Sequence, residues 1–475
     1  MMISNIPQNV GRFHFVGIGG IGMSGIAEIL LQSGYLVQGS DINQTKITKR
    51  LNKLGAKIFI GHNSGNINQA NIIVYSSAIT EKNPELIEAK KLSIPIVHRS
   101  EMLGELMRLK QSIAVAGTHG KTTTTSLISK LLEQNNMDPT IINGGIISSL
   151  ASNAKLGEGK WMVVEADESD GSFSRLIPTI AIVTNIDLEH MDFHKTESNL
   201  EKAFTNFISS IPFYGFATVC IDHPRIQKIL AKVTNKKIIT YGYSPNADIR
   251  AINTRFVDGK MIFDVSYKDK VEKNTSFIKN IIFSMLGYHN VLNALAAISV
   301  ALELGISITI IKKSLNSFSG VQRRFQFITK IDNAKIYDDY GHHPEEIKAA
   351  LSAAKLIKNN SKILAIFQPH RYTRLKNHFE EFCSSFNDAD KVILLNIYAA
   401  GEKKLINYEN TDLEEGIRNY GHKNVESLKD DEKIFEKIFK NLKNFDIIIF
   451  LGAGNITNIA NSLSKKIKTL RGNIQ

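Results

Sequence analysis

The chain has 475 residues, which is too long for one hydrophobic core and suggests three domains of about 150 residues each. Hydrophobic residues make up 43% and charged residues 22%, so disordered, collagen-like and membrane classes are excluded. No apolar run reaches about 18 residues, and the N-terminus lacks the basic and apolar segments of a signal peptide. We therefore expect a cytoplasmic protein that does not bind a membrane.

The formal net charge is +12, which raises the question of nucleic-acid binding. The lysines are scattered and no block of five or more basic residues occurs, so no nucleic-acid partner is predicted. Scattered positive charge favours small anions as partners, such as phosphates, pyrophosphates and carboxylates. Cys220 and Cys383 lie far apart and outside any metal-binding spacing, which argues against a disulfide framework or a zinc site.

Short apolar runs typical of buried strands recur along the chain, and several alternate with stretches of helical periodicity. This alternation predicts an α/β fold with parallel sheets covered by helices on both faces, in which ligands bind beyond the carboxyl ends of strands. The predicted strands are 13–17, 72–75, 113–116, 162–164, 180–184, 363–367, 391–395 and 447–451. We predict three domains: Rossmann-like 1–108, P-loop ATPase-like 109–322 and Rossmann-like 323–475.

The first predicted strand runs into a glycine-rich loop between Gly17 and Gly25. Glycines let the backbone approach a pyrophosphate, and Asp41 follows at about the spacing of an acid that contacts a ribose. Because such a loop recognises the pyrophosphate, it does not separate NAD from another diphosphate-bearing nucleotide. A tight strand-to-helix turn without a ligand is the alternative.

The strongest signal is the segment GTHGKT at 117–122, directly after a strand and before a helix. Its backbone N–H groups and the helix N-terminus attract phosphate, Lys121 neutralises the terminal phosphates, and the Thr122 hydroxyl can hold Mg²⁺. The general P-loop has four residues between its glycines, whereas this loop has two. A glycine turn with a solvated lysine would explain the turn but not the lysine and threonine together.

Two further strands of this region end in possible metal ligands. One ends at Glu165, within an acidic cluster, and His190 lies shortly after the end of the next. Because these ends lie near the phosphate loop in a parallel sheet, both side chains are predicted to reach a Mg²⁺ that ATP shares. Taken singly, an acidic cluster is usually solvated and a histidine usually caps or fills a core.

Polar residues also mark three later strand–helix junctions. Asn290 and Asn293 share one face of a helix and either contact nucleotide or cap the helix. Asp339 precedes His343, which could be only an N-cap before Pro344. Arg371 and Arg374, three residues apart, favour bidentate capture of a carboxylate or phosphate, and a basic surface helix is the alternative.

Together these motifs resemble the Mur ligase family, and they span nearly the whole chain. The matching pieces, in order, are GIGGIGMSG, SSAI, AGTHGKTTT, EADESDGSF, TNIDLEHMD, GYHNVLNALAA, GVQRRF, DDYGHHPEEI, FQPHRYTR and LGAGNI. One departure is that Leu188 and Glu189 precede His190, where the family often has a proline and an acid. The acid is kept, so only the local shape of that loop is affected.

The resemblance implies an N-terminal domain that binds a UDP-sugar, a central domain that binds ATP and a C-terminal domain that binds an amino acid. It implies an ADP-forming ligase of peptidoglycan precursor synthesis that uses ATP and Mg²⁺. This enzyme would join L-alanine to the lactyl carboxylate of UDP-N-acetylmuramate through an acyl phosphate. We expect a monomer or a weak homodimer.

Carried over position by position, the resemblance implies catalytic roles for Lys121, Glu165, His190, Asn290, Asn293, Arg324 and Asp339. It implies ATP contacts from Gly117, Thr118, His119, Gly120, Lys121, Thr122, Thr123, Asn290 and Arg324. Substrate contacts are implied for Gly19, Gly20, Gly22, Asp41, His62, Ser76, His343, Arg371 and Arg374, and metal ligation for Thr122, Glu165 and His190.

Two rival functions stay open. A ligase of the same family that adds a preformed tripeptide to the same sugar is the main one, and the motifs ADESDGSF and HRYTR favour the alanine-adding member over it. An NAD-dependent oxidoreductase built on the first glycine loop is the other, but it would leave Lys121, Glu165 and His190 without a role.

Overall fold

Three β-sheets and the helices that cover them form the computed structural model, which describes residues 7–268, 274–357, 361–428, 430 and 433–472. The strands are β1 (Arg12–Val16), β2 (Leu36–Asp41), β3 (Lys57–Ile60), β4 (Ile72–Tyr75), β5 (Ile96–His98), β6 (Gln111–Ala116), β7 (Thr140–Ile147), β8 (Ser152–Lys155), β9 (Trp161–Glu165), β10 (Ile180–Val183), β11 (Phe216–Cys220), β12 (Ile238–Gly242), β13 (Ile249–Val257), β14 (Lys260–Lys268), β15 (Thr275–Phe283), β16 (Gln326–Ile331), β17 (Ala334–Asp339), β18 (Ile363–Phe367), β19 (Lys391–Leu394), β20 (Val425–Ser427) and β21 (Ile447–Leu451).

The α-helices are α1 (Ile21–Gln32), α2 (Lys46–Lys53), α3 (Pro84–Lys91), α4 (Arg99–Met107), α5 (Lys121–Gln134), α6 (Met191–His194), α7 (Glu197–Ser209), α8 (Pro224–Leu230), α9 (Tyr288–Glu303), α10 (Ile308–Asn316), α11 (Pro344–Leu356), α12 (Tyr372–Asn377), α13 (Phe379–Cys383), α14 (Asn410–Asn419), α15 (Ile434–Asn441) and α16 (Ile456–Gly472). None of the helices in the described part of the chain combines the length and apolarity that crossing a membrane needs.

The first sheet has the strand order β3-β2-β1-β4-β5, and all of its neighbouring strands are parallel. The chain moves outward from β1 to one side and then returns to β4 on the other. Such a reversal opens a crevice at the carboxyl ends of the two central strands, where ligands of open α/β sheets bind. The glycine-rich loop after β1 lies at this crevice, as predicted.

The second sheet has the order β15-β14-β13-β12-β11-β10-β6-β9-β7-β8. Its central strands run parallel from β12 to β7, and β8 pairs with β7 in the antiparallel direction. The strand β6 lies between β10 and β9, so the loops that follow these three strands emerge side by side at one edge. The phosphate loop and both predicted metal-ligand segments are therefore neighbours.

The third sheet, of order β16-β17-β21-β18-β19-β20, is parallel except for the edge strand β16. Alternate residues of its central strands enter different cores. On β18, Ala365 packs into the core on the α11 side and Leu364 and Ile366 into the core on the α16 side. Both faces are thus covered by helices, which is why β18 and β21 are apolar throughout.

The predicted α/β class is confirmed, and strands 72–75, 363–367 and 447–451 are observed with the same bounds. The strands outside the eight predicted ranges, among them β13, β14 and β15, were not predicted. Two compact units are present, one with the first sheet and most of the second and one with the third sheet. The domain boundaries at 108 and 322 stay predictions.

Candidate functional site

The loop predicted to hold phosphates connects β6 to α5, and two of its glycines adopt backbone conformations that other residues rarely reach. Gly117 has φ 130° and Gly120 has φ 81°. A Cβ on Gly117 would collide with Thr184, and a Cβ on Gly120 would collide with the side-chain amide of Asn293. Both positions therefore require glycine, and the bare backbone leaves room for a phosphate to approach.

Replacing Gly120 with alanine should lower ATP affinity at least about tenfold, because the new methyl group would press on Asn293 in a strained backbone. Gly34→Ala is the matched control, since Gly34 has φ 88° but open space around it. The control should lose about 1 kcal/mol of stability and keep its ATP affinity. Thermal unfolding and calorimetric titration with a non-hydrolysable ATP analogue measure both effects. Equal ATP affinity in the two variants would contradict the role of the loop.

Lys121, the first residue of α5, is largely buried against this loop. Its Nζ donates to Gly117 O at 2.6 Å and lies 2.8 Å from Glu168 Oε2. Burial alone would lower the pKa of Lys121, but the carboxylates of Glu168, Glu165 and Asp167 outweigh it and raise the pKa. Burial also raises the pKa of Glu168, to about 7, against the opposing charge of Lys121. The lysine therefore stays cationic at the loop.

The segment after β10 fixes the conformation of the loop. Asn185 Oδ1 accepts a hydrogen bond from His119 N at 2.7 Å, and Asp187 N donates to Thr118 Oγ1 at 2.8 Å. The Asp187 carboxylate lies 3.4 Å from His119 Nε2 and 3.2 Å from His223 Nε2. Burial would raise the pKa of Asp187, but hydrogen bonds from both imidazoles hold it well below its usual range. Asp187 thus anchors a histidine of the loop.

The structure places the three predicted metal ligands at the start of α5, at the end of β9 and just before α6. Thr122 and Thr123 are buried in the first turn of α5. Glu165 ends β9, and its Oε2 accepts a hydrogen bond from Gly144 N at 2.8 Å. His190 begins α6 as a left-handed N-cap with φ 56°.

His190 lies beside two acids that were not among the predicted ligands, Glu168 and Glu189. Its Nε2 is 4.0 Å from Glu168 Oε1 and 3.8 Å from Glu189 Oε2. One ligand atom from each of the three residues lies within 4.8 Å of the others. Two carboxylates and an imidazole suit a hard divalent cation that keeps part of its water. Metal ligation by Thr122, Glu165 and His190 stays a prediction beside this second set.

The two asparagines of α9 are both buried. Asn290 Nδ2 donates to Leu286 O at 2.6 Å, which anchors the start of the helix. Asn293 Oδ1 accepts from Thr124 Oγ1 at 3.2 Å, which ties that residue to the first turns of α5. The predicted nucleotide contacts of both residues stay predictions.

The glycine loop of the first sheet is closed by the predicted acid. Asp41 Oδ2 accepts a hydrogen bond from Gly19 N at 2.9 Å, and Gly20 is the N-cap of α1. Gly22 lies against the guanidinium of Arg99, so that a Cβ there would collide with it. Arg99 also bridges to Asp167 Oδ2 at 3.1 Å. The Arg99 guanidinium therefore lies next to the loop at which a pyrophosphate is predicted to bind.

Two other predicted substrate residues follow strands of the same sheet. His62 lies after β3, and its Nδ1 is 2.9 Å from Ser40 Oγ. Ser76 follows β4 and accepts a hydrogen bond from Ile79 N through its backbone oxygen at 2.9 Å. Both positions are at carboxyl ends of strands, where the crevice opens.

Asp339 ends β17 in the third sheet and organises the backbone around it. Its Oδ2 accepts from Phe325 N and its Oδ1 from Gly341 N, both at 2.7 Å. Burial raises the pKa of Asp339 to about 6, against the positive charge of Arg324. Arg324 itself lies 3.4 Å from Glu346 Oε1. Catalytic roles for Arg324 and Asp339 stay predictions.

The carboxyl carbon of Asp339 should titrate near pH 6 in a ¹³C NMR experiment, because burial favours its neutral form. Arg324→Met should shift this pKa upward, since it removes the charge that stabilises the carboxylate. Lys348→Met is the control, because this exposed lysine pairs with Glu345 instead. An unchanged titration in Arg324→Met would contradict the coupling. Because the folded pKa lies above the unfolded one, this group contributes less stability as pH rises from about 4 to 6.

The paired arginines after β18 differ in their surroundings. Arg371 precedes α12 with φ 70°, and its backbone N donates to Tyr398 O at 2.9 Å. Arg374 Nη1 lies 3.2 Å from Nδ1 of His370. Burial and the nearby cations lower the pKa of His370 to about 3, so its neutral imidazole accepts from Arg374. The cluster is strongly cationic, which suits a carboxylate ligand.

His343 is the N-cap of α11, the alternative left open by the sequence. Its Nδ1 accepts from Glu345 N at 3.4 Å, and Pro344 occupies the first helical turn. A cap bond uses only one ring nitrogen, so substrate binding by His343 stays a prediction.

Sequence reasoning missed several residues that the structure places at these sites. Glu168 and Glu189 lie within motifs of the sequence, and no pattern distinguishes them from neighbouring acids. Arg99 lies in a helix with no motif of its own. Asp187 could have been found, since it follows β10 at the same sheet edge as His190.

Comparison with known proteins gives matches along nearly all of the chain. Residues 12–111 match the model described as Mur ligase family, catalytic domain. Residues 115–301 match the Mur ligase middle domain, and residues 323–454 match the Mur ligase, glutamate ligase domain. The UDP-N-acetylmuramate–L-alanine ligase of Parvibaculum lavamentivorans is 50% identical over 98% of this chain and 95% of its own length.

Two solved structures resemble the fold over almost the full length. The UDP-N-acetylmuramate–alanine ligase of Thermotoga maritima has a TM-score of 0.80 and 27% identity, covering 97% of this chain and 99% of its own. The murein peptide ligase of Psychrobacter arcticus has a TM-score of 0.71 and 25% identity, covering 96% and 98%. Three consecutive domain matches and a half-identical relative aligned over 95% of its own length lead to one conclusion: this chain belongs to the Mur ligase family.

Proposed function

We propose that this protein joins L-alanine to the lactyl carboxylate of UDP-N-acetylmuramate, with ATP converted to ADP and phosphate. The observation that carries the proposal is the 50% identity, over 98% of this chain, to a ligase named for that reaction. The solved structures do not separate the two activities, because the alanine ligase is 27% identical and the murein peptide ligase 25% identical. The reaction belongs to peptidoglycan precursor synthesis, and so to cell-wall biogenesis, cell shape and cell division.

A carboxylate does not condense with an amine unaided, because its oxygen is a poor leaving group. In the proposed reaction the sugar carboxylate attacks the γ-phosphate of ATP and displaces ADP. The neutral amine of alanine then attacks the resulting acyl phosphate, displaces phosphate and loses a proton. Such chemistry depends on positioning and charge neutralisation rather than on covalent catalysis. Lys121 and the backbone of Gly117 and Gly120 supply both at the phosphate loop.

Mg²⁺ would neutralise phosphate charge when bound. The grouping of Glu168, Glu189 and His190 within 4.8 Å fits such an ion, because it offers carboxylate oxygens from nearly closed surroundings. Thr122 and Glu165 are the other proposed ligands.

We assign the remaining roles by the chemistry of each cluster. Arg99 and the glycine loop of the first sheet would hold the pyrophosphate of the sugar nucleotide. The guanidinium groups of Arg371 and Arg374 would hold the carboxylate of alanine, since planar donors match a carboxylate. Asp339, with a pKa near 6, would orient ATP or the amine.

Phosphate release from ATP, measured with each substrate omitted in turn, tests the proposal. Release should require both UDP-N-acetylmuramate and L-alanine. Equal rates with glycine, serine or a tripeptide would remove the assignment of alanine, and a tripeptide preference would establish the murein peptide ligase alternative. Release without the sugar nucleotide would contradict the proposal as a whole.

A further inference from the structure

A buried polar cluster lies against the first sheet, and of its residues only His62 has a role assigned above. Its centre is Glu85, which is fully buried in the first turn of α3. Glu85 Oε2 accepts from Ser40 Oγ at 2.6 Å and lies 3.3 Å from His14 Nε2. Its Oε1 accepts from Asn66 Nδ2 at 2.6 Å and from Asn63 N at 3.3 Å.

These contacts keep Glu85 an anion. Burial opposes the charge, but the hydrogen bonds from His14, Ser40 and Asn66 outweigh it and lower the pKa to about 2. Gln38 Nε2 donates to Asn66 O at 2.9 Å and lies 3.2 Å from His14 Nδ1. His14 Nδ1 is thus an acceptor, so its Nε2 carries the proton and donates to Glu85.

The same reasoning gives the direction of the next hydrogen bond. Because a carboxylate only accepts, the hydroxyl proton of Ser40 points to Glu85. Ser40 Oγ is then left as an acceptor for His62 Nδ1, at 2.9 Å, so His62 Nδ1 must carry a proton. Glu85 Oε2 lies 3.4 Å from the same nitrogen and favours the same arrangement. In the neutral imidazole, Nε2 is left with a lone pair and can only accept.

The place of His62 in the sheet relates this nitrogen to a ligand. The glycine loop follows β1, Asp41 ends β2, and His62 follows β3, which is the next strand outward. Neighbouring strands are about 4.8 Å apart, so His62 lies roughly 10 Å across the sheet from the pyrophosphate loop. The His62 side chain is 15% exposed, and it follows the carboxyl end of β3, the edge of the sheet at which such crevices open. A pyrophosphate, a ribose and a base would occupy these three strand ends in order.

We propose that Ser40 and Glu85 are positioning residues that hold His62 in its Nδ1–H tautomer, so that His62 Nε2 accepts a hydrogen bond from the imide N–H of uracil. The inference rests on the proposed function, in which this domain binds a uridine nucleotide. Uracil carries a donor at N3, whereas cytosine carries an acceptor there and would face the lone pair of His62. The hydrogen bonds that connect Glu85, Ser40 and His62, here called the relay, therefore select uridine over cytidine nucleotides.

The test compares binding of UDP and CDP to the full chain by calorimetry, with a saturating non-hydrolysable ATP analogue in the phosphate loop. The wild type should bind UDP at least about tenfold more tightly than CDP, because a mismatched polar pair stays unsatisfied. Ser40→Ala should narrow this ratio to about threefold or less. Imidazole ¹⁵N shifts should report Nδ1–H for His62 in the wild type and a tautomer mixture in Ser40→Ala.

Glu85→Gln is a second variant and should also narrow the ratio of UDP to CDP affinity. If Glu85→Gln fails to fold, Ser40→Ala alone tests the inference. Ser112→Ala is the matched control, a buried serine near the start of β6, and should leave the ratio and the shifts unchanged. Equal binding of UDP and CDP by the wild type would overturn the inference, as would an unchanged tautomer and ratio in Ser40→Ala. If phosphate release still requires both substrates in that case, the proposed function stands without the relay. A preserved UDP preference without substrate-dependent release would instead remove the proposed function.

Discussion

Replacing Lys121 with methionine should lower the rate of phosphate release at least about 1,000-fold, because the phosphate loop loses its one positioned side-chain charge. The aliphatic stem of methionine fills much of the same space, so the loop keeps its packing. Lys130→Met, farther along the same helix, is the control and should keep nearly full activity. Near-normal release by Lys121→Met would contradict the role of the phosphate loop in turnover.

The stability of the same variants separates catalysis from folding. Lys121→Met removes the cation that lowers the pKa of the buried Glu168, so this carboxyl group must either stay charged without a partner or take up a proton, which should cost about 2 kcal/mol at pH 8. The double variant Lys121→Met/Glu168→Gln removes that charge and should recover most of the loss. Chemical denaturation measures the difference. Recovered stability without recovered activity would show that the lysine acts in the reaction and not only in the fold.

His190→Ala should weaken binding of Mn²⁺, used as a probe for Mg²⁺, at least about tenfold in the presence of a non-hydrolysable ATP analogue. The imidazole belongs both to the set predicted from the sequence and to the set that the structure brings together. Electron paramagnetic resonance of free Mn²⁺ gives the affinity without reference to turnover. His194→Ala serves as the comparison, because its Nε2 lies 3.0 Å from the backbone oxygen of Glu168 and His194 is outside the grouping of possible metal ligands. Equal losses in the two variants would mean that His190 is not a ligand.

The carboxylate partner of His190 is decided by a second pair of variants. Glu165→Gln and Glu168→Gln change the same functional group on the same segment. A loss of Mn²⁺ affinity confined to Glu168→Gln would support the cluster seen in the structure. A loss confined to Glu165→Gln would support the ligands implied by the family resemblance. Glu168 would then keep only its ion pair with Lys121.

Eight of the parallel strands could be predicted from the sequence, and we attribute this to helices that cover both faces of the sheets. Such strands are apolar throughout, as residues 363–367 and 447–451 show, and helical segments separate them. The strands β13 and β14 escaped prediction because they alternate buried with less buried residues and lack an apolar run. Alternating strands of that kind give a weaker signal than a continuous apolar block.

The phosphate loop was predictable because its residues are consecutive. Lys121 needs only the preceding glycines and the following helix to be placed at a phosphate. The contacts of Glu168 and His190 depend instead on the side-by-side arrangement of β6, β9 and β10, which no local pattern specifies. The acidic run 165–170 offers several carboxylates, and only the folded backbone decides which one meets Lys121.

The two cores on either side of the third sheet restrict how its sequence can change in length. Neighbouring residues of β18 belong to different cores, so deleting one residue would exchange the environments of all those beyond it. The edge strand β16 already contains an irregularity between Phe327 and Thr329 and has only one neighbour to satisfy. Evolutionary insertions and deletions should therefore accumulate at that edge and spare the middle of the sheet.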